Sequence, residues 1–139
     1  MLSIERLSLE NAQVLIEGAT EHANIIGVPM CIAIVDESGN LIAFHRMDGG
    51  KILSVSLSQD KARSAAVSRK STAHYNDHAV PGNLTNGIQS ALDGNFSTVG
   101  GGIPVEDDGT IVGAVGISGG TPEQDIECAE AAIAYFSDD

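Results

Sequence analysis

At 139 residues, 42% of them apolar, the chain has the size and composition of one domain with a modest core. Nineteen Asp and Glu against seven Lys and Arg set the formal charge at −12, which argues against a nucleic-acid or anionic-membrane binder because both need a surplus of cations. No apolar run approaches the ~18 residues of a spanning helix. Met1-Leu2-Ser3-Ile4-Glu5-Arg6 lacks the basic start and apolar stretch of a secretory signal, and Cys31 and Cys128 each sit in an apolar segment without a partner at metal-ligand spacing. A cytoplasmic protein with two buried thiols is the expectation.

Leu9, Ala12, Ile16, Ala19, Ala23 and Ile26 recur at three- and four-residue spacing and predict an amphipathic helix over 9–26. Ser8 is its N-cap, Glu10 lies in the first turn, and Gly27 with Pro29 ends it. Met30 to Asp36 is a nearly continuous apolar run, too short for a helix, and reads as a strand buried on both faces. Glu37-Ser38-Gly39-Asn40 is a turn signal, after which Leu41 to Arg46 returns as the second strand of an antiparallel hairpin. Leu53 to Arg69 is helical in pattern, offering Val55, Leu57, Ala62, Ala65 and Ala66 to the core. Residues 71–95 are polar and broken by Pro81-Gly82, which predicts an irregular segment with short helical turns. A second hairpin is expected from Ser97 to Val105, the turn Glu106-Asp107-Asp108-Gly109, and Thr110 to Ser118. Gly100-Gly101-Gly102 points to a bulge, a close approach to a ligand or another chain, or plain turn chemistry. Thr121-Pro122-Glu123-Gln124 is a helix start with a capping box, and the helix runs to about Phe136 with Ile126, Ala129, Ile133 and Phe136 facing inward. Two hairpins covered by helices make an α+β domain around an antiparallel sheet, one domain spanning 1–139.

The cations are concentrated. Arg46, Lys51, Lys61, Arg63, Arg69 and Lys70 lie within 46–70 beside only Asp48 and Asp60, and no Lys or Arg follows. Either they pair with carboxylates elsewhere on the surface or they form a local site for a small anionic ligand or an acidic neighbouring subunit. The shortage of Lys beside so many acids also fits a high-salt habitat. No Walker loop, GxGxxG, HExxH or GxSxG motif occurs. Gly116 to Gly120 runs into the start of the last helix and reads as an anion cradle or an ordinary strand-to-helix turn. His74 and His78 stand i, i+4, on one face if the stretch is helical. Nothing supplies the third ligand a zinc site needs, whereas haem iron takes one or two protein donors; two solvated histidines are the plainer alternative. His22 belongs to a helix surface, and His45 beside Arg46 is either structural or part of a pocket. Arg46 at a strand end suits a carboxylate through its bidentate fork, Asp48 either joins such a site or holds the loop, and Asp36 shapes a turn.

Ile34-Val35-Asp36 with Ser38-Gly39-Asn40-Leu41, then Arg46-Met47-Asp48-Gly49, Lys61-Ala62, Gly101-Gly102-Ile103-Pro104-Val105, Val112 to Gly120 and Glu123-Gln124-Asp125 together resemble the GlcG/HbpS-like (haem-degrading or haem-binding) family, which includes the C-terminal domain of PduO-type proteins. The resemblance covers roughly residues 7–136. It implies a profilin-like three-layer α/β/α fold with a central antiparallel sheet, and non-covalent binding of haem for storage, sensing or degradation or in a role accessory to a catabolic pathway. Covalent attachment is excluded because no Cys-x-x-Cys-His occurs. It also implies homo-oligomers from dimer to octamer. The axial ligand falls in the segment after the Lys-Ala helix, which puts His74 first and His78 second, with Arg46 and Lys61 toward the propionates. Two other functions stand beside this one. In the first, a small isomerase, lyase or dehydratase acts on a carboxylate metabolite, with Arg46 orienting it and His45 or Asp48 as acid or base. In the second, the chain is a non-catalytic assembly partner of a neighbouring enzyme. Self-association of segment 46–70 with the acidic 71–139 of a second copy is expected to weaken as salt rises.

Overall fold

The computed structural model describes residues 1–138. In chain order the elements are α1 (Leu9–Ile26), β1 (Cys31–Asp36), β2 (Leu41–Arg46), α2 (Ile52–Ser68), two short 3₁₀ turns (Thr72–Tyr75 and Ile88–Ser90), the brief α3 (Ala91–Gly94), β3 (Gly102–Asp107), β4 (Thr110–Ser118) and α4 (Pro122–Ser137). The four strands form one antiparallel sheet in the order β2-β1-β4-β3. The two hairpins therefore lie side by side, joined through β1 and β4, and leave β2 and β3 as the edges. Helices α1 and α4 cover one face and α2 the other, so the α/β/α layering is as expected.

Local chemistry places the ends of the elements. Ser8 and Asn11 form a reciprocal capping box on α1, and Thr121 and Gln124 form another on α4. The Asp36 carboxylate accepts the N–H groups of Ser38 and Asn40, both about as long as ordinary hydrogen bonds at 2.9 and 3.0 Å, and so shapes the first hairpin turn. The second turn is tighter than the sequence predicts: β3 runs on to Asp107, and only Asp108 and Gly109, both with positive φ, make the reversal. An Asp-Gly pair in this conformation matches the strand twist of a two-residue hairpin.

Two expectations change. β3 begins at Gly102 rather than Ser97, because residues before it are held by α2 and the first 3₁₀ turn instead of by a strand. The Ser64 hydroxyl accepts the Ser97 N–H at 2.9 Å, and the Thr72 hydroxyl accepts that of Gly102 at 3.0 Å. On α2, Val55 and Leu57 are only half-buried, and Ile52 and Leu53 are exposed. The buried stripe is Ser54, Ser58, Lys61, Ala62, Ser64, Ala65 and Ala66. The helix lies so close to the sheet that a side chain at Gly116 would collide with the Ser58 carbonyl, and one at Gly102 with the Lys61 carbonyl. Gly102, the last of the glycine triplet, thus marks an approach of strand backbone to the chain's own helix.

Candidate functional site

The residues singled out in the sequence do not meet in one place. Arg46 and His45 lie at the end of edge strand β2 and point to opposite faces. His45 pairs with Ile32 in the register and faces α1, where it lines an open groove of about 500 Å³ with Gln13, Glu17, Thr20 and Asn24. Arg46 packs beside Gly50 and weakens the upward shift that burial imposes on the Cys31 thiol. Asp48 is exposed in a loop closed by the Gly50 N–H on the Met47 carbonyl at 2.9 Å. His74 and His78 belong to the segment that packs beside β3, at the other edge. With strands about 4.8 Å apart, two intervening strands keep Arg46 out of reach of the histidines of the same chain.

The histidines do meet each other. Their rings stack with centroids 4.5 Å apart and planes 15° from parallel, and the Tyr75 ring stands edge-on to His74 at 5.0 Å. Tyr75 in turn packs edge-on to Phe96 in a small buried cluster with Ala79, which anchors the exposed histidines from below. His78 Nδ1 lies 2.6 Å from the His74 carbonyl oxygen. A carbonyl only accepts, so Nδ1 carries a proton, and in the neutral imidazole Nε2 then keeps its lone pair. The two rings are exposed. Desolvation, then the charges of His78 and Lys70, hold the His74 imidazole below its usual pKa. Lys70 is thus the cation that stands near the pair; its place four residues before His74 was the available signal. The loop that follows is folded on itself by Asn83 to the Asp77 carbonyl and Thr85 to the His78 carbonyl, and it exposes Val80 and Leu84.

Lys61 is elsewhere again, and not on the surface where a cation in a charged patch is expected. It is 1% exposed, with Nζ donating to Asp125 Oδ2 and to the Ile117 carbonyl, both at 2.9 Å. Asp125 Oδ1 accepts the Gly120 N–H at 2.9 Å. Burial lowers the Lys61 pKa, while the hydrogen bond and charge of Asp125 oppose the shift. Beside them the Ser54 and Ser118 hydroxyls are bonded to each other at 2.9 Å. The stretches Lys61-Ala62, Gly101-Gly102, Ser118-Gly119-Gly120 and Glu123-Gln124-Asp125, far apart in the chain, converge here. Sequence reasoning named Lys61 but missed Asp125, Ser54 and Ser118. An Asp in the first turn of a helix ordinarily reads as a dipole partner, and nothing local marks it as buried. Among the described residues no group of three metal-binding side chains forms, and no helix is long and apolar enough to cross a membrane.

Comparison with known proteins agrees with this architecture. The crystal structure of Klebsiella pneumoniae protein ORFY superposes with a TM-score of 0.96 at 32% identity, over 99% of this chain and 94% of that one. A crystal structure of a PduOC–haem complex superposes at 0.89 with 35% identity, over 94% of each chain. The corrinoid adenosyltransferase PduO of Salmonella typhimurium is 36% identical over 131 residues, which are 94% of this chain but only 39% of that protein. The family described as haem degrading protein HbpS-like matches residues 7–134, and the chain belongs to that family.

Proposed function

We propose that the protein binds haem non-covalently, with an imidazole of the His74–His78 pair at the iron. The observation that carries this reading is the His78 Nδ1 bond to the His74 carbonyl: it leaves Nε2 of an exposed ring free to donate its lone pair, as an axial ligand must. The relative solved with haem, 35% identical, supports the same class of ligand. The hydrogen bond also reverses the order drawn from the resemblance, favouring His78 over His74. Because the rings are stacked, they cannot occupy opposite faces of one porphyrin, so one chain provides one axial donor. Exposed Val80 and Leu84 offer apolar contact, and Lys70 takes the place expected of Arg46 toward a propionate. Haem, when bound, supplies redox-active iron; the chain's own residues provide the donor, the apolar contact and the charge.

An exposed ring on a surface loop covers only one side of a flat apolar group. Burial of the other side calls for a second copy, so the haem complex is a homo-oligomer. Light scattering at low salt tests this, with a monomer in the haem-bound state as the contrary result. Hemin titration of the wild type should give a saturable Soret shift. His78→Ala should abolish it, and His74→Ala should weaken it by removing the stacked neighbour. An unaltered spectrum and affinity in the double variant would remove both histidines from the site. If His74 is the ligand instead, its lowered pKa keeps the imidazole neutral and binding intact until the pH falls below the ordinary histidine value of about 6.5.

A further inference from the structure

The Lys61–Asp125 pair and the two buried serines wall a cavity of about 120 Å³ between the start of α2, the end of β4 and the start of α4. Leu57, Val99 and Pro122 supply its apolar wall, and Lys51 stands at its edge. This is the room of about four waters at ~30 Å³ each, well under the ~300 Å³ at which drug-sized sites begin. It excludes a porphyrin, so it is separate from the histidine site.

The polar groups around it are unequal in donors and acceptors. Both Asp125 oxygens are engaged, one by Lys61 and one by the Gly120 N–H. Lys61 carries three donor hydrogens, of which two are engaged. Ser54 and Ser118, 2% and 3% exposed, share a single hydrogen bond, so one of the two hydroxyl hydrogens is left without an acceptor. Two donor hydrogens, one on Lys61 and one on the serine pair, therefore border one small space, beside an Asp125 carboxylate each of whose oxygens already accepts one hydrogen bond. The ion pair is internally neutral; Lys51 and the N-terminal end of α4 favour an anion there, and the Glu123 carboxylate in the first turn of α4 opposes it.

We propose that this cavity binds a short-chain carboxylate of about two to four carbons. The carboxylate accepts from the third Lys61 hydrogen and from the free serine hydroxyl, and its hydrocarbon end lies against Leu57 and Val99. A neutral alcohol of the same length offers one weak acceptor where two donors converge and is rejected by the unpaired group. A longer or aromatic acid does not fit.

The test is a titration of the haem-free protein with sodium propionate at constant ionic strength, followed by amide chemical shifts. Saturable shifts centred on Ser54, Gly101 and Ser118 to Gly120, absent with 1-propanol and with sodium chloride, are expected. Replacing both serines by alanine removes the hydroxyl pair together, which a buried site tolerates better than the loss of one partner; affinity should then fall at least about tenfold. Val99→Phe fills the space from its open side and should abolish binding with the remaining spectrum unchanged, which keeps the test decisive if the serine variant folds poorly. Linear shifts without saturation, an equal response to 1-propanol or chloride, or undiminished binding in Val99→Phe would overturn the proposal.

Discussion

Toward α1 and α4 the sheet presents Ile32, Ile34, Val115 and Ile117 to Leu15, Ile16 and Cys128, while toward α2 it presents Ala33, Ala114, Gly102 and Gly116 to alanines, serines and a buried lysine. The first face is packed hydrocarbon, and burial of apolar area is its main contribution. The second is held by close backbone approach and by a few polar contacts, where a single methyl or charge has nowhere to go. The wide side chains on α2, Ile52 and Leu53, are accordingly on the outside. The comparison shows that similar burial can rest on opposite tolerances: one face is sensitive to what is removed, the other to what is added.

The sharpest break of the α2 face is Lys61→Met. It leaves Asp125 charged, buried and short of its cation, and unfolding in denaturant should show a loss of about 3–5 kcal/mol. Lys61→Met combined with Asp125→Leu should recover much of that loss, because the lone charge goes with its partner. Next, Gly116→Ala pushes a methyl into the Ser58 carbonyl and should cost about 3 kcal/mol through displacement of α2. A midpoint equal to wild type would show that the helix can move away freely. On the hydrocarbon face the matching experiment is removal: Ile34→Val should cost only about 1 kcal/mol by the same measurement.

The smallest effect lies outside both faces. Arg6 donates to Glu37 and holds that carboxyl below the usual carboxylate range, with Ser38 and Arg69 assisting. A carboxyl with a lowered folded pKa contributes stability above its unfolded value of about 4.5, and that contribution is lost as the pH falls through the lower folded value. Arg6→Ala should therefore flatten the acid limb of the stability curve while leaving the contrast between Gly116→Ala and Ile34→Val unchanged. A wild-type acid limb in the variant would show that Arg69 and Ser38 suffice to hold the Glu37 charge.

What the amino-acid sequence determined by itself was whatever rests on neighbours along the chain. The bounds of α1 follow from its N-cap Ser8 and the Gly27–Pro29 stop, the start of α4 from its capping box, β2 and β4 from strand pattern and turns, and the irregular 71–95 from its polar composition, since each is decided within a few residues. The histidine pair was visible for the same reason, through i, i+4 spacing. The start of β3, the serine-rich stripe of α2, the burial of Lys61 against Asp125 and the separation of Arg46 from His74 were decided only in three dimensions. They depend on the order β2-β1-β4-β3, which puts Arg46 and the histidines at opposite edges. They depend also on glycines at 102 and 116 that admit α2 to the sheet. Lys61 and Asp125 are 64 residues apart, and no local rule couples residues at that distance. A lysine in a cationic run is ordinarily a surface charge; close packing of helix on sheet made this one an interior ion pair.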